Sequence, residues 1–177
     1  MQEERLVSTE RVYTGKVLKL DLDSVELPNG KTTKLEILRH PGASAVVPMK
    51  RDGTVVLIRQ LRHAVGGFIY EIPAGKLDHQ EDPKVCAARE LEEEVGYRAG
   101  RLTLLTSIWT APGFTDEVIH IYQASELRPG RQNLDQDEVL EIVEWPLAVA
   151  MAKIQDGTIL DAKTIIGLQL VFLNNKP

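Results

Sequence analysis

The chain has 177 residues, 43% hydrophobic and 27% charged, with a formal net charge of −5. That balance suits one globular domain, or one with an appendage, and offers no basic field for nucleic acid. Its single cysteine, Cys86, rules out an internal disulfide or a thiolate zinc cage, and reads as a small buried helix residue. No apolar run reaches the ~20 residues that cross a bilayer, and the opening Met1-Gln-Glu-Glu-Arg is unlike a secretory signal. A cytoplasmic protein with neither nucleic-acid nor membrane partners fits these exclusions.

The first forty residues read as a small antiparallel unit. Leu18, Leu20 and Leu22 alternate with Lys19, Asp21 and Asp23, the period of a half-buried strand. Pro28-Asn29-Gly30 supplies a turn, and Leu35 and Ile37 alternate on the return. A meander of this size is marginal alone in water, so it needs a larger body or a second subunit. Pro41-Gly42 marks a boundary, giving a β subdomain over 1–41 and a main domain over 42–177.

In the main domain, Ala45–Met49 and Thr54–Ile58 flank Asp52-Gly53, a second hairpin signal. Phe68–Ile72 reads as a strand ended by Pro73. Asp82-Pro83 opens a helix that Gly96 closes, with Ala88, Leu91 and Val95 as its apolar stripe. Strands follow at Leu102–Trp109 and Val118–Gln123, joined through Ala111–Asp116. Leu134–Glu138 is an exposed acidic segment ahead of a strand at Leu140–Val143. Pro146–Ile154 is helical in composition, and Asp161 caps a last helix that buries Ile165, Ile166, Leu168 and Phe172. Strands mixed with two or three helices, without βαβ regularity, make an α+β sandwich.

The helix after Pro83 carries the chemistry. Glu90, Glu93 and Glu94 are three and four residues apart, so at roughly 100° per residue they share one side of the helix while Glu92 points away. Like charges so placed repel, and a divalent cation turns the repulsion into attraction. All-oxygen donors suit Mg²⁺ or Mn²⁺, and magnesium keeps waters and recruits phosphate oxygens. The alternative is a solvated face rich in glutamate, a good helix former. Arg89, four residues before Glu93, can brace it.

Gly75, Glu81, Arg89, Glu90, Leu91, Glu93, Glu94 and Gly96 fall in the register of the Nudix hydrolase signature, which this segment resembles. The match spans 23 of 177 residues, and its one departure is Tyr97 where the pattern prefers an aliphatic. The resemblance implies the Nudix fold, a mixed sheet sandwiched between helices. It also implies that Glu90 and Glu94, with Glu93 close by and the Ala74 carbonyl, hold Mg²⁺ or Mn²⁺. Arg89 then braces the glutamates and Glu81 stabilises the loop–helix–loop. Family substrates are nucleoside diphosphates linked to another moiety, cleaved at the pyrophosphate by water.

Arg59-Gln60-Leu61-Arg62, Glu71–Leu77 and Pro112, fifteen places beyond Tyr97, resemble the ADP-ribose pyrophosphatase branch. That likeness implies release of AMP and ribose 5-phosphate from ADP-ribose, and a homodimer formed through the N-terminal subdomain. Arg62, Glu71, Glu36, Gly113 and Glu117 become candidate substrate-binding residues, with structural salt bridges the rival role for Arg62, Glu71, Glu36 and Glu117. The same likeness implies a general base from the acidic loop after the signature helix: Glu138 is favoured, Asp137 and Glu141 are alternatives, and the rival roles are a third ion's ligand for Glu138 and exposed acidic decoration for the loop. Rival activities are hydrolysis of GDP-mannose, NADH or dinucleoside polyphosphates, and, from another class, a non-catalytic nucleotide sensor.

Overall fold

The computed structural model describes residues 3–136 and 138–175. The chain divides into two compact units, Met1–Gly42 with Trp109–Val118, and Ala43–Ile108 with Ile119–Pro177.

The first unit is a three-stranded antiparallel sheet of β1 (Arg5–Thr14), β2 (Lys19–Glu26) and β3 (Thr32–Arg39), with β2 in the middle. The β2–β3 turn forms at Pro28-Asn29-Gly30, where the Lys31 N–H donates to Asn29 Oδ1 at 3.0 Å. The alternation along β2 is present, but Asp21 and Asp23 are buried whereas Leu20 and Leu22 are only half-buried. The reason is a charge cluster: Arg11 and Arg39 both pair with Asp21, and Arg39 also pairs with Asp23. The hydrogen bond from Arg11 holds the Asp21 carboxyl below its ordinary value. Arg39 also reaches Asp116 at 3.4 Å, and the Leu38 N–H donates to the Phe114 carbonyl at 2.8 Å, tying the 109–118 loop to β3. Every residue of β1 is exposed, including Leu6, Val7, Val12 and Tyr13.

The second unit begins with β4 (Ala43–Pro48), buried throughout, then β5 (Thr54–Arg62), a 3-10 turn at His63–Val65, β6 (Gly67–Glu71) and β7 (Ala74–Lys76). There follow α1 (Pro83–Val95), β8 (Tyr97–Arg98), β9 (Arg101–Trp109), β10 (Val118–Ser125), β11 (Arg128–Pro129), β12 (Leu140–Pro146), α2 (Leu147–Gln155) and α3 (Ala162–Asn174). One sheet has the order β7-β4-β10-β9 and is mixed, since β4 runs parallel to β10 and antiparallel to β7. Another is β12-β5-β6, antiparallel, and β8 pairs with β11.

The expected hairpin across Asp52-Gly53 takes a different form. The turn closes, with the Lys50 N–H on the Thr54 carbonyl at 2.8 Å, but β4 and β5 enter separate sheets and share an isolated bridge at Met49–Val55. Pro48 offers no N–H to continue a ladder, and both strands bury both faces. Ala45, Val47, Val55 and Leu57 pack with Leu168 and Val171 of α3, while Val46, Val56 and Ile58 pack with Ala87, Leu91 and Val95 of α1. The sheets are therefore enclosed between helices.

Asp161 caps α3 as expected, but the buried face is Thr164, Gly167, Leu168 and Val171. Ile165, Ile166 and Phe172 are half-buried. Thr164 displaces its apolar neighbours because its hydroxyl accepts the Ile72 N–H at 2.8 Å.

Candidate active site

Helix α1 is fixed at both ends by its sequence. Asp82 accepts the Lys84 N–H at 2.8 Å, Pro83 takes a first-turn position that needs no donor, and Gly96 closes the helix in the left-handed region at φ 68°. The buried stripe is Ala87-Leu91-Val95, with Cys86 beside it; Ala88, expected there, is exposed. That one-step rotation matters, because it carries Glu90 and Glu94 inward with the stripe. They are 7% and 1% exposed, whereas the Glu93 side chain is 38% exposed.

Burial, and then the charges of Glu90 and Glu138, push the Glu94 carboxyl up to about 8. Burial raises Glu90 as well, against the opposing pull of Arg89. The Ala74 N–H donates to Glu94 Oε2 at 2.9 Å, so the segment before Gly75 is tied to the helix. Arg89 grips Glu81 through two bonds of 3.0 Å, and also donates to Glu90 Oε1 at 2.5 Å, Glu93 Oε2 at 3.0 Å and the Lys76 carbonyl at 3.2 Å. Hydrogen bonding to Glu81 and the surrounding carboxylates raise its pKa further. The Glu81 carboxylate also accepts the Asp78 N–H, which closes the loop ahead of the helix. Cys86 is inert here: burial and two nearby carboxylates push its thiol up to about 12.

Among the described residues no three His, Cys, Asp or Glu side chains form a ready-made ion cage. The donor set fits a hard cation that keeps its own waters. Two buried carboxylates repel each other, Arg89 and Ala74 occupy only one oxygen of each, and the nearby Cys86 thiol is held protonated. A cation at these oxygens offsets the cost that raises both carboxyls.

On β5, Arg62 forks onto Glu71, Nε to Oε1 at 2.7 Å and Nη2 to Oε2 at 3.0 Å. Lys163 also pairs with Glu71, and with Asp161 Oδ1 at 3.0 Å. Burial alone would raise the Glu71 carboxyl, yet Arg62 and Lys163 hold it below its ordinary value. Both Glu71 oxygens are thus engaged within the protein, while Arg62 keeps Nη1 clear among the described residues and lies within electrostatic reach of Glu94. Lys163 escaped the sequence reading because a lysine after a capping aspartate reads as helix surface.

Glu138 turns its carboxylate back onto the Asp135 N–H at 2.9 Å, and its charge raises both Glu90 and Glu94. Asp137 lies outside the described residues. Glu141 is an exposed partner of Arg59 at 3.4 Å. The loop leading to Glu138 is latched to the last turn of α1: Asn133 N–H to the Glu93 carbonyl at 2.9 Å, and Gln132 Nε2 to the Glu94 carbonyl at 2.8 Å. Sequence spacing gave no sign of this latch.

Glu36, Gly113 and Glu117 belong to the first unit. Glu36 is exposed on β3, and Gly113 has open space around its α-carbon. Glu117 accepts from the Thr110 hydroxyl at 2.7 Å and lies 3.4 Å from His40 Nδ1.

A family model described as NUDIX domain matches residues 38–165. A methanol dehydrogenase activator of Bacillus methanolicus is 45% identical over 97% of this chain and 94% of its own length. An ADP-ribose pyrophosphatase of Bacillus subtilis (strain 168) is 42% identical over the same shares, and one of Mycobacterium tuberculosis is 38% identical over 93% of this chain and 81% of its own. A crystal structure of an ADP compounds hydrolase superposes with a TM-score of 0.86 at 28% identity, covering 98% of this chain and 94% of that one. Hydrolases of this family generally use divalent metal ions. With that fold and those acidic side chains on one helix, the chain belongs to the Nudix family and is a Nudix pyrophosphohydrolase.

Proposed function

We propose that the protein hydrolyses the pyrophosphate bond of ADP-ribose to AMP and ribose 5-phosphate with Mg²⁺ or Mn²⁺. The observation that carries this reading is the pair of buried carboxylates, Glu90 and Glu94, packed against the Ala74–Gly75 segment. Kinship with two ADP-ribose pyrophosphatases supports the substrate.

Glu90, Glu94 and Glu93, with the Ala74 carbonyl, hold the cation. When bound, it polarises phosphate oxygens and lowers the pKa of water. Arg62, oriented by Glu71, offers Nη1 to the diphosphate. Glu138 takes the proton of the attacking water; among the described residues its carboxylate has no lysine or arginine partner and accepts only the Asp135 N–H. Arg89 keeps Glu90 and Glu93 in place. Glu36, Gly113 and Glu117 bind the nucleoside or sugar, Glu36 across a dimer interface.

The 1–41 subdomain forms that homodimer, with main domain 42–177 carrying the catalytic residues. The wholly exposed β1, with Leu6, Val7, Val12 and Tyr13, supplies apolar surface for a second copy. No helix among the described residues is long and apolar enough to cross a membrane, and the proposed location is the cytoplasm.

The test is a panel of ADP-ribose, GDP-mannose, NADH and dinucleoside polyphosphates assayed for released mononucleotide with and without Mg²⁺. ADP-ribose should give the highest kcat/KM, and sedimentation should show a dimer at micromolar concentration. Faster turnover of another compound transfers the assignment to it; absence of hydrolysis of every compound refutes the reading.

A further inference from the structure

Gln60 is 5% exposed, and its Oε1 is buried without a hydrogen-bond donor among the described residues. A native interior leaves few polar atoms in that state, and each needs a reason. The other such atom, Asp23 Oδ1, sits in the ion-pair cluster of the first unit.

Position supplies the reason. Side chains alternate along a strand, so Gln60 shares a face of β5 with Val56, Ile58 and Arg62. Val56 and Ile58 pack on Ala87 and Leu91 of α1. Arg62 lies within electrostatic reach of Glu94. Across the sheet Gln60 pairs with Leu140, which packs into the same cluster and follows Glu138 by two residues. The orphaned oxygen thus lies on the strand face turned to α1, between apolar floor and Arg62.

We infer that Gln60 is a binding residue of the loaded site, its Oε1 accepting a hydrogen bond from a water held by the divalent cation. Magnesium keeps several waters when bound to few carboxylates, and those waters are strong donors that need acceptors. The inference rests on the functional reading above. It adds a residue outside the acidic helix and explains why a glutamine stands between Ile58 and Arg62 in that strand row.

The test compares wild type with Gln60→Met and Gln60→Leu, two apolar shapes that separate a packing defect from loss of the oxygen. Tm is measured metal-free and across a titration of MgCl₂ alone. Without metal, at least one variant should match or exceed wild-type Tm, because an unpaired buried atom has been removed. In both, the half-saturating Mg²⁺ concentration should rise about tenfold. A fall in metal-free Tm for both variants means the oxygen was already satisfied, by an internal water, and overturns the inference. So does an unchanged Mg²⁺ titration. A wild type whose Tm ignores Mg²⁺ and Mn²⁺ overturns the functional reading and this inference together; a responsive wild type with unaltered variants overturns this inference alone.

Discussion

The bare α-carbon of Gly75 lies under the Glu90 carboxylate, so close that a β-carbon there would stand 1.8 Å from Oε1. The obstruction is the far end of a flexible side chain, which can swing aside. Gly75→Ala should therefore leave Tm within a few degrees of wild type while turnover falls by roughly 10²-fold or more, the scale of a misplaced catalytic group. Thermal melts beside steady-state rates check it; a fully active alanine variant would remove the close approach from the account.

Glu90→Gln and Glu94→Gln should each lower turnover by orders of magnitude with the fold intact. Glu92, paired with Arg98 at the protein surface, should tolerate Gln with turnover within about twofold. Rates at saturating Mg²⁺ make the comparison. Equal losses at 92 and 94 contradict the assignment of the inward helix face.

Glu94 predicts how stability varies with pH. Its folded value of about 8 lies above the ordinary 4.5, so between those values the native state binds more protons than the unfolded chain. Glu94's contribution to metal-free stability is then full below pH 4.5 and is lost as the pH rises toward 8. Glu94→Gln removes much of that slope and should stabilise the metal-free protein at pH 8 on the order of 2 kcal/mol, or ~4–8 °C in Tm. Melts at pH 5 and pH 8 decide it. A parallel pair of curves counts against the burial argument.

Glu138→Gln should reduce kcat by about 10²–10⁴-fold with little change in KM, the pattern of a lost general base. Steady-state kinetics across pH measure it. A change confined to KM would make Glu138 a binding group instead.

Lys163→Met leaves the buried Glu71 with Arg62 alone. Removing one partner of a buried carboxylate should destabilise by about 2 kcal/mol, read as a shifted midpoint in urea at unchanged m. An unchanged midpoint means that Arg62 suffices.

Local chemistry made much of this legible. The cap at Asp82-Pro83, the stop at Gly96 and the charge spacing within α1 are decided by neighbours a few residues apart, and a sequence displays such relations. The phase of the buried stripe was missed by one position, because Ala87 and Ala88 are equally apolar and only packing on Val56 and Ile58 chooses between them. The inward aspartates of β2 were missed for a similar reason. Asp21 and Asp23 look like a solvent face until Arg39, 16 and 18 residues away, arrives beside them. The Gln132–Asn133 latch uses main-chain carbonyls, which have no signature in sequence.

Lys163 and Glu71 are separated by 92 positions, and Thr164 fastens Ile72 across the same span. Closing so long a loop is entropically slow, so the support that Lys163 lends Glu71 and the fastening of the peptide before Gly75 both wait on the last helix. One turn of α3 thus clamps both the partner of Arg62 and the segment that leads to the acidic helix.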